Sequence, residues 1–261
     1  MPTEHRIVAA TSPRLRWLAA ALLIGGCAGQ SGTQVAQAEP DRVDDPAEGV
    51  NRTIFAGNQF VDRNALQPVA RGYQANVPGV VRGSIRNFAG NLGEPQVAVN
   101  EVLQGNLGRA WDTTQRFAVN TTVGGLGLFD AATDWSLPHR DADFGETLGV
   151  WGVGPGPAVQ LPLFGPSNVR DSAGRVIGLV TNPFSFVPGG AVATASIAGT
   201  GLGVVDGRAR LLPTTDALQK QSLDYYATLR SINAQRRAAL IADGAAGGIG
   251  PASTTSGEVA K

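Results

Sequence analysis

The chain has few of the residue types that build catalytic or metal sites. Its 261 residues include one cysteine and two histidines. A single cysteine excludes an internal disulfide and any zinc site that uses several cysteines. The sequence has no Gly-Lys-Ser/Thr phosphate loop, and its glycine clusters do not have the spacing of a dinucleotide-binding fingerprint. We therefore predict no metal and no cofactor.

The chain also lacks net charge, because acidic and basic residues number 21 each. No basic face is indicated, so nucleic acid is not a predicted partner. A Gly-x-Ser-x-Gly nucleophile motif is missing, and His139 is the single histidine beyond the N-terminal segment. The acidic cluster from His139 to Glu146 is interpreted as a solvated loop or a helix cap. The sequence therefore does not predict an enzyme.

The N-terminal residues predict a secretory signal peptide over residues 1–26. Basic residues between positions 5 and 16 precede the apolar run Trp17–Ile24, which is shorter than the roughly 20 residues of a membrane-spanning helix. Two glycines and Cys27 follow, which is the pattern of a bacterial lipobox, so Cys27 is predicted to be acylated. Ala28 stands where an aspartate would favour the inner membrane, and this favours the outer membrane of a Gram-negative bacterium.

The remainder predicts an all-α domain over residues 46–243, between a lipidated tether (27–45) and a disordered tail (244–261). Helix-period patterns and helix-start signals give the following predicted helix starts or ranges: Asp45-Pro46, Pro78, Glu94-Pro95, 107–121, 204–212 and 222–241. In the helix predicted from Glu94, Val99, Val102 and Leu103 are expected to face inward. Convincing pairs of alternating strands are scarce.

Three long segments carry no charge: 117–129, 147–169 and 176–205. Soluble domains average about one charged residue in four, so the runs are unusual. Burial in a core and contact with lipid both explain them. Prolines interrupt the second and third runs, which argues against straight spans. Irregular backbone at membrane depth must be packed in protein or line a wet cavity.

An ordered set of motifs runs through the domain. Its members are Asp45-Pro46 with Asn51-Arg52, Leu66-x-Pro68-Val69-Ala70, Pro78-x-x-Val81-Arg82, Asn91-Leu92-x-Glu94-Pro95, Leu103-Gln104-Gly105, Arg116-Phe117-x-x-Asn120-Thr121, Gly124-x-x-Gly127-x-x-Asp130, Asp143–Gly149 with Trp151–Gly154, Gly156-Pro157 and Gly165-Pro166-Ser167-x-x-Arg170-Asp171. Over roughly residues 45–239 the chain resembles the MlaA (VacJ) lipoprotein family. It departs from the family pattern at Ala56-Gly57, Ala158 and Leu223–Tyr226.

This resemblance implies a ring-shaped, helical, membrane-embedded lipoprotein with Gly/Pro-rich irregular segments around a central channel. Such a protein removes phospholipids from the outer leaflet of the outer membrane and faces the periplasm. The implied partners are trimeric porins and a soluble periplasmic lipid carrier that serves an inner-membrane ABC transport system. Two alternatives remain: a structural partner of porins or of the cell envelope, and an envelope hydrolase.

Candidate channel residues come from the uncharged runs. Polar candidates are Asn120, Thr121, Thr122, Gln160 and Asn168. Apolar candidates are Leu128, Phe129, Trp151, Val153, Leu161 and Phe164. Gly154 and Gly156 are expected to supply turns or a close backbone approach.

Overall fold

The computed structural model describes residues 43–186 and 190–247. Cys27, where lipidation is predicted, lies outside these ranges, as do the predicted signal peptide, nearly all of the predicted tether and residues 248–261. The last helix runs through Ala246, past the predicted domain boundary at residue 243, and Gly244 is buried within it.

Helices dominate the described residues. They are α1 (Glu48–Val61), which continues through a π-helical turn (Asp62–Leu66) into α2 (Gln67–Asn76), then α3 (Gly79–Leu103), α4 (Leu107–Thr122), α5 (Ala131–Asp134), α6 (Phe144–Val150), α7 (Val169–Val180), α8 (Gly190–Gln221) and α9 (Tyr225–Ala246). A short 3₁₀ turn covers Pro183–Phe186. The all-α prediction is confirmed.

Side-chain caps begin several of these helices. The Asp143 carboxylate accepts a hydrogen bond from the Glu146 amide at the start of α6. Asn168 does the same for α7, and Asp224 for α9. Each cap satisfies a backbone N–H that has no partner inside the helix. The interpretation of the His139–Glu146 cluster as a helix cap is thus confirmed at Asp143.

The prediction of a separate helix beginning at Glu94-Pro95 is wrong. Pro95 lies inside α3, which runs without a break from Gly79 to Leu103. A proline removes one backbone hydrogen bond and normally ends a helix. Here α3 packs against both α4 and α8, and we attribute the continuity of the helix to that packing. Pro213 lies inside α8 in the same way.

The Gly/Pro-rich part of the chain between α6 and α7 contains a β-hairpin. Strand β1 (Ala158–Leu161) pairs antiparallel with β2 (Gly165–Asn168). The connecting turn places Leu163 at a φ of 65° and Gly165 at 83°, a region that favours glycine. The predicted irregular segment is therefore part turn, part hairpin.

The contacts between helices and strands form a closed circuit. Helix α3 packs against α8, α8 against α2, and α2 continues back into α1 through the π-helical turn. Helix α1 packs against β1, β2 against α9, α9 against α6, and α6 against α3 again. The elements therefore form a ring, as the family resemblance implies.

Hydrogen bonds of the Asn51 side chain connect α1 to the hairpin. Its Nδ2 donates to the carbonyl oxygen of Ala158 at 3.1 Å and to the Asp45 carboxylate at 2.7 Å. Its Oδ1 accepts from the Gln160 amide at 2.9 Å. Asp45 also accepts from the Tyr226 hydroxyl of α9 at 2.5 Å. One buried amide thus ties the beginning of the ring to its hairpin and, through Asp45, to its last helix.

Glycine allows α6 and α7 to touch. A Cβ on Gly174 of α7 would lie 2.2 Å from the backbone nitrogen of Gly145 on α6. A Cβ on Gly145 would lie 2.8 Å from an Asp171 carboxylate oxygen. Both positions exclude larger residues unless the two helices separate.

Candidate functional site

The ring exposes much of its apolar surface and buries polar groups. Helix α4 shows the pattern most clearly: it buries Thr113, Arg116 and Asn120 while Leu107 and Trp111 are exposed. In a water-soluble domain the apolar face of a helix normally packs inward. The expectation that Val99 and Val102 pack in a core is therefore wrong, because both are exposed on α3, whereas Leu103 is half-buried.

Exposed apolar side chains continue around the ring. On α7 they include Val176, Ile177 and Val180, which share one face. All three tryptophans in the described ranges, Trp111, Trp135 and Trp151, are more than half exposed. Tryptophan is enriched where a membrane protein crosses the membrane–water interface. A large exposed apolar surface marks contact with a membrane or a partner.

A polar cavity of about 610 Å³ lies between α3, α4 and α8. We call it the α3–α8 cavity. Its lining includes Arg86, Asn91, Glu94, Arg116, Asn120, Asp130, His139, Asp141, Asp206 and Arg210. These residues come from three helices and the segment between α4 and α6, so the fold brings together charges that are far apart in the chain.

Arg116 is the centre of an ion-pair cluster in this cavity. Its Nε donates to Glu94 Oε1 at 3.2 Å, and its Nη2 donates to Asp130 at 3.0 Å. Asn120 also donates to Asp130, at 3.1 Å. The His139 ring nitrogen Nδ1 lies 3.0 Å from Glu94 Oε1, and this hydrogen bond to a carboxylate raises the pKa of His139.

A second polar cavity of about 270 Å³ lies between α3, α6, α7 and α9, and Asp141 contributes to both cavities. We call it the α6–α9 cavity. Arg237 of α9 lines it and pairs with Asp143 at 2.7 Å and with Asp171 at 2.8 Å. Burial opposes ionisation of Asp143, but the hydrogen bonds and charge of Arg237 outweigh it and lower the pKa of Asp143.

Glu146 is buried beside the same cavity. It accepts a hydrogen bond from Gln104 at 3.3 Å, and Gln104 also donates to Thr147 at 3.2 Å. Burial, together with the nearby negative charge of Asp143, raises the pKa of Glu146 to about 7. A carboxylate removed from water favours its neutral form in this way.

Two of the predicted channel residues lie at the α3–α8 cavity. Asn120 is part of its lining. Thr121 accepts a hydrogen bond from Asn91 at 3.0 Å, so it supports a residue of that lining. Leu128 and Phe129 follow α4 in an exposed turn, where the Leu128 carbonyl accepts from Asn87 at 3.4 Å.

The predicted residues after α6 lie in a different place. Trp151 is exposed, and its indole donates to the Leu103 carbonyl at 2.9 Å. Val153 is exposed too, and a Cβ on Gly154 would meet no atom within 4 Å. Gly156 has a φ of 66°, and a Cβ there would lie 3.2 Å from the Val169 side chain. The structure places these residues at the surface, apart from the linings of the α3–α8 and α6–α9 cavities.

The remaining predicted residues belong to the hairpin. Gln160 is buried and its backbone is held by Asn51. The Leu161 carbonyl accepts from Asn58 at 2.8 Å. Phe164 is exposed, with the Arg175 guanidinium 5.7 Å from its ring centre. Gln160 and Phe164 also line a smaller cavity of about 190 Å³ beside α1.

Sequence reasoning missed most of the charged lining. Glu94 and Arg116 belong to the family motifs, but apart from those motifs the sequence suggested only a helix start at Glu94. Arg86, Asp206 and Arg210 gave no local signal. The polar face of α4, opposite Leu107 and Trp111, was the sequence signal that could have indicated this charged lining.

Within residues 43–186 and 190–247, no helix is long and apolar enough to cross a membrane. The same described part of the chain contains no group of three or more His, Cys, Asp or Glu side chains arranged to hold a metal ion.

The fold and cavities define a class of protein: a ring of helices that exposes many apolar side chains and buries polar ones beside charged cavities. A sequence model described as MlaA lipoprotein matches residues 43–240. The chain belongs to the MlaA lipoprotein family.

Relatives and a solved structure agree with this assignment. The chain is 36% identical over 240 residues to the intermembrane phospholipid transport system lipoprotein MlaA of Escherichia coli (strain K12), covering 85% of this chain and 87% of that protein. The protein of the same name from Haemophilus influenzae is 31% identical over 238 residues, covering 90% and 92%. A solved structure described as the structural basis for maintenance of bacterial outer membrane lipid asymmetry has a TM-score of 0.67 and 34% identity, covering 76% of this chain and 99% of that chain.

Proposed function

We propose that this protein moves phospholipids out of the outer leaflet of the outer membrane and passes them through its ring toward the periplasm. The observation that supports this most strongly is the combination of a large exposed apolar surface with the charged α3–α8 cavity. Family membership supports the same substrate, because the named relatives belong to an intermembrane phospholipid transport system.

The cavity chemistry suits a lipid headgroup. A charged headgroup cannot enter hydrocarbon without losing its hydration, which costs several kcal/mol or more unless other polar groups replace the water. Arg86, Asp206 and Arg210 of the lining can replace that water. Asn120, the one predicted channel residue in this lining, adds an amide. The acyl tails would remain against apolar side chains.

The same proposal places the ring in the membrane rather than beside it. Exposed side chains such as Leu107, Trp111 and Val176 would contact lipid, and acylation at Cys27 would anchor the chain. The test is tryptophan fluorescence of the full-length protein in vesicles that contain brominated phospholipids. Trp111 and Trp151 should be quenched, whereas unchanged emission would contradict an embedded ring.

We propose trimeric porins as neighbours, and as recipient a soluble periplasmic carrier that serves an inner-membrane ABC transport system. Support for these partners comes from the family. Co-purification of the full-length protein with porins from crosslinked cells tests the first proposal. Transfer of labelled phospholipid from the reconstituted protein to an added carrier tests the second.

Entry of lipid into the ring can be tested directly with a photoreactive amino acid. Gly90 lines the α3–α8 cavity, and a Cβ there would meet no atom within 4 Å, so a side chain can begin there without a clash. Benzoylphenylalanine at Gly90 should crosslink to phospholipid in cells. Gly72 of α2 is equally open and is outside this lining, so it provides the control. Equal crosslinking at both positions would contradict a route through the cavity.

A further inference from the structure

The α3–α8 cavity carries both signs of charge in nearly equal amounts. Its cationic side chains are Arg86, Arg116 and Arg210, and its anionic side chains are Glu94, Asp130, Asp141 and Asp206. His139 also lines it. A cavity of this kind attracts neither a simple anion nor a simple cation strongly. It suits a molecule that carries one charge of each sign.

Two deeply buried acceptors in the cavity wall have no partner. Asn91 is 5% exposed and Glu94 is 2% exposed. Asn91 Oδ1 and Glu94 Oε2 have no hydrogen-bond partner among the described residues, although the other polar atom of each side chain is used. Leaving a buried acceptor unpaired costs about 1–3 kcal/mol, and more when it is charged. A ligand with N–H groups would supply each atom with the hydrogen-bond donor that it lacks. Both atoms belong to residues that line the cavity.

Arginines at the more open part of the cavity supply the opposite charge. Arg86 is exposed and forms no ion pair with the residues that the structure describes. Arg210 is also largely exposed and rests 3.3 Å from Asp206. Guanidinium groups bind phosphate through paired, charge-assisted hydrogen bonds. Arg86 and Asn91 are separated by a rise of about 7.5 Å along α3, a distance that a flexible arginine side chain and a small headgroup can bridge.

We propose that the α3–α8 cavity binds the headgroup of a zwitterionic phospholipid that ends in a primary ammonium. The phosphate lies toward Arg86 and Arg210. The side chains of Asn91 and Glu94 turn toward the ammonium, which then donates to Asn91 Oδ1 and Glu94 Oε2. A primary ammonium has three N–H donors, whereas a trimethylammonium has none and a glycerol headgroup has no positive charge. This inference rests on the proposed function and adds a headgroup preference to it.

Native mass spectrometry of the full-length protein in detergent tests the preference. The protein is incubated with an equimolar mixture of phosphatidylethanolamine, phosphatidylcholine and phosphatidylglycerol that share the same acyl chains. Wild-type protein should retain phosphatidylethanolamine about tenfold over phosphatidylcholine, since hydrogen bonds to charged groups contribute at least that factor. Glu94→Gln should remove most of this preference while phosphatidylcholine binding persists.

Arg86→Gln should weaken binding of all three lipids, because each contains a phosphate. Arg71→Gln is the matched control: Arg71 is exposed, pairs with Asp216 and is not part of the cavity lining, so its lipid profile should equal that of the wild type. The wild-type profile and Arg86→Gln test the proposal even if Glu94→Gln does not fold, since Glu94 also pairs with Arg116.

Equal retention of the three lipids by the wild type would overturn the headgroup inference and leave lipid transport standing. A preference that survives in folded Glu94→Gln would also overturn it. Absence of any bound lipid would overturn both the inference and the proposed function.

Discussion

Glu146→Gln should stabilise the protein much more at pH 8 than at pH 5. The wild-type side chain is buried beside Asp143, which raises its pKa from 4.5 to about 7. Below pH 4.5 the carboxyl is protonated in both folded and unfolded states. As the pH rises toward 7, the unfolded state releases the proton and the folded state keeps it. Wild-type stability therefore falls over this interval and levels off above pH 7.

The size of the effect follows from the pKa difference. Each pKa unit corresponds to about 1.4 kcal/mol, so the ionised form of Glu146 costs about 3 kcal/mol at pH 8. Glutamine has nearly the same shape and still offers an oxygen to Gln104, but it carries no charge. For a domain of this size, about 3 kcal/mol corresponds to a rise in Tm of roughly 6–12 °C.

Circular dichroism during thermal unfolding in a mild detergent measures the effect at both pH values. Glu48→Gln is the matched control, because Glu48 is exposed and pairs with Arg52 on the first turn of α1. The control should show little pH-dependent difference from the wild type. If Glu146→Gln instead lowers Tm at pH 8, the carboxylate is stabilised as an ion pair and the reasoning is refuted.

Two further substitutions test the packing of the ring in the same unfolding assay. Asn51→Leu should lower stability by about 2–4 kcal/mol, because the Ala158 carbonyl and Gln160 amide lose their buried partner; an effect no larger than that of exposed Asn76→Leu would refute the role of Asn51. Gly174→Ala should cost about 2 kcal/mol or more, since its Cβ would lie 2.2 Å from the Gly145 nitrogen, whereas Gly154→Ala meets open space. Equal Tm values for these two glycine variants would contradict the close contact of α6 with α7.

The sequence predicted the helices well where a periodic pattern and a start signal coincided. Helix α4 was predicted over 107–121 and spans Leu107–Thr122. Pro95 misled the prediction because a local rule about proline does not include the packing of α3 against α4 and α8. The hairpin at 158–168 was not predicted, since its strands are short and one of them contains Pro166.

The candidate site was harder to predict than the fold. A helical period reveals that α4 has two faces, but it does not say which face points into the ring. The uncharged runs drew attention to exposed residues such as Trp151 and Val153, whereas the charged lining joins Glu94, Arg116 and Asp206 from separate helices. The packing of α3 against α4 and α8 brings those three side chains to one cavity.

Blocking the α3–α8 cavity tests the central claim most directly. Gly90→Trp adds an indole at a lining position that is open to a Cβ, and Gly72→Trp makes the same change at an equally open position outside the lining. Each variant is expressed in cells that depend on this protein, and surface phosphatidylethanolamine is measured with an amine reagent that does not cross the membrane. Gly90→Trp should raise surface labelling to the level of cells without the protein, while Gly72→Trp should match the wild type. Wild-type labelling in cells with folded, correctly located Gly90→Trp protein would contradict a phospholipid route through the ring.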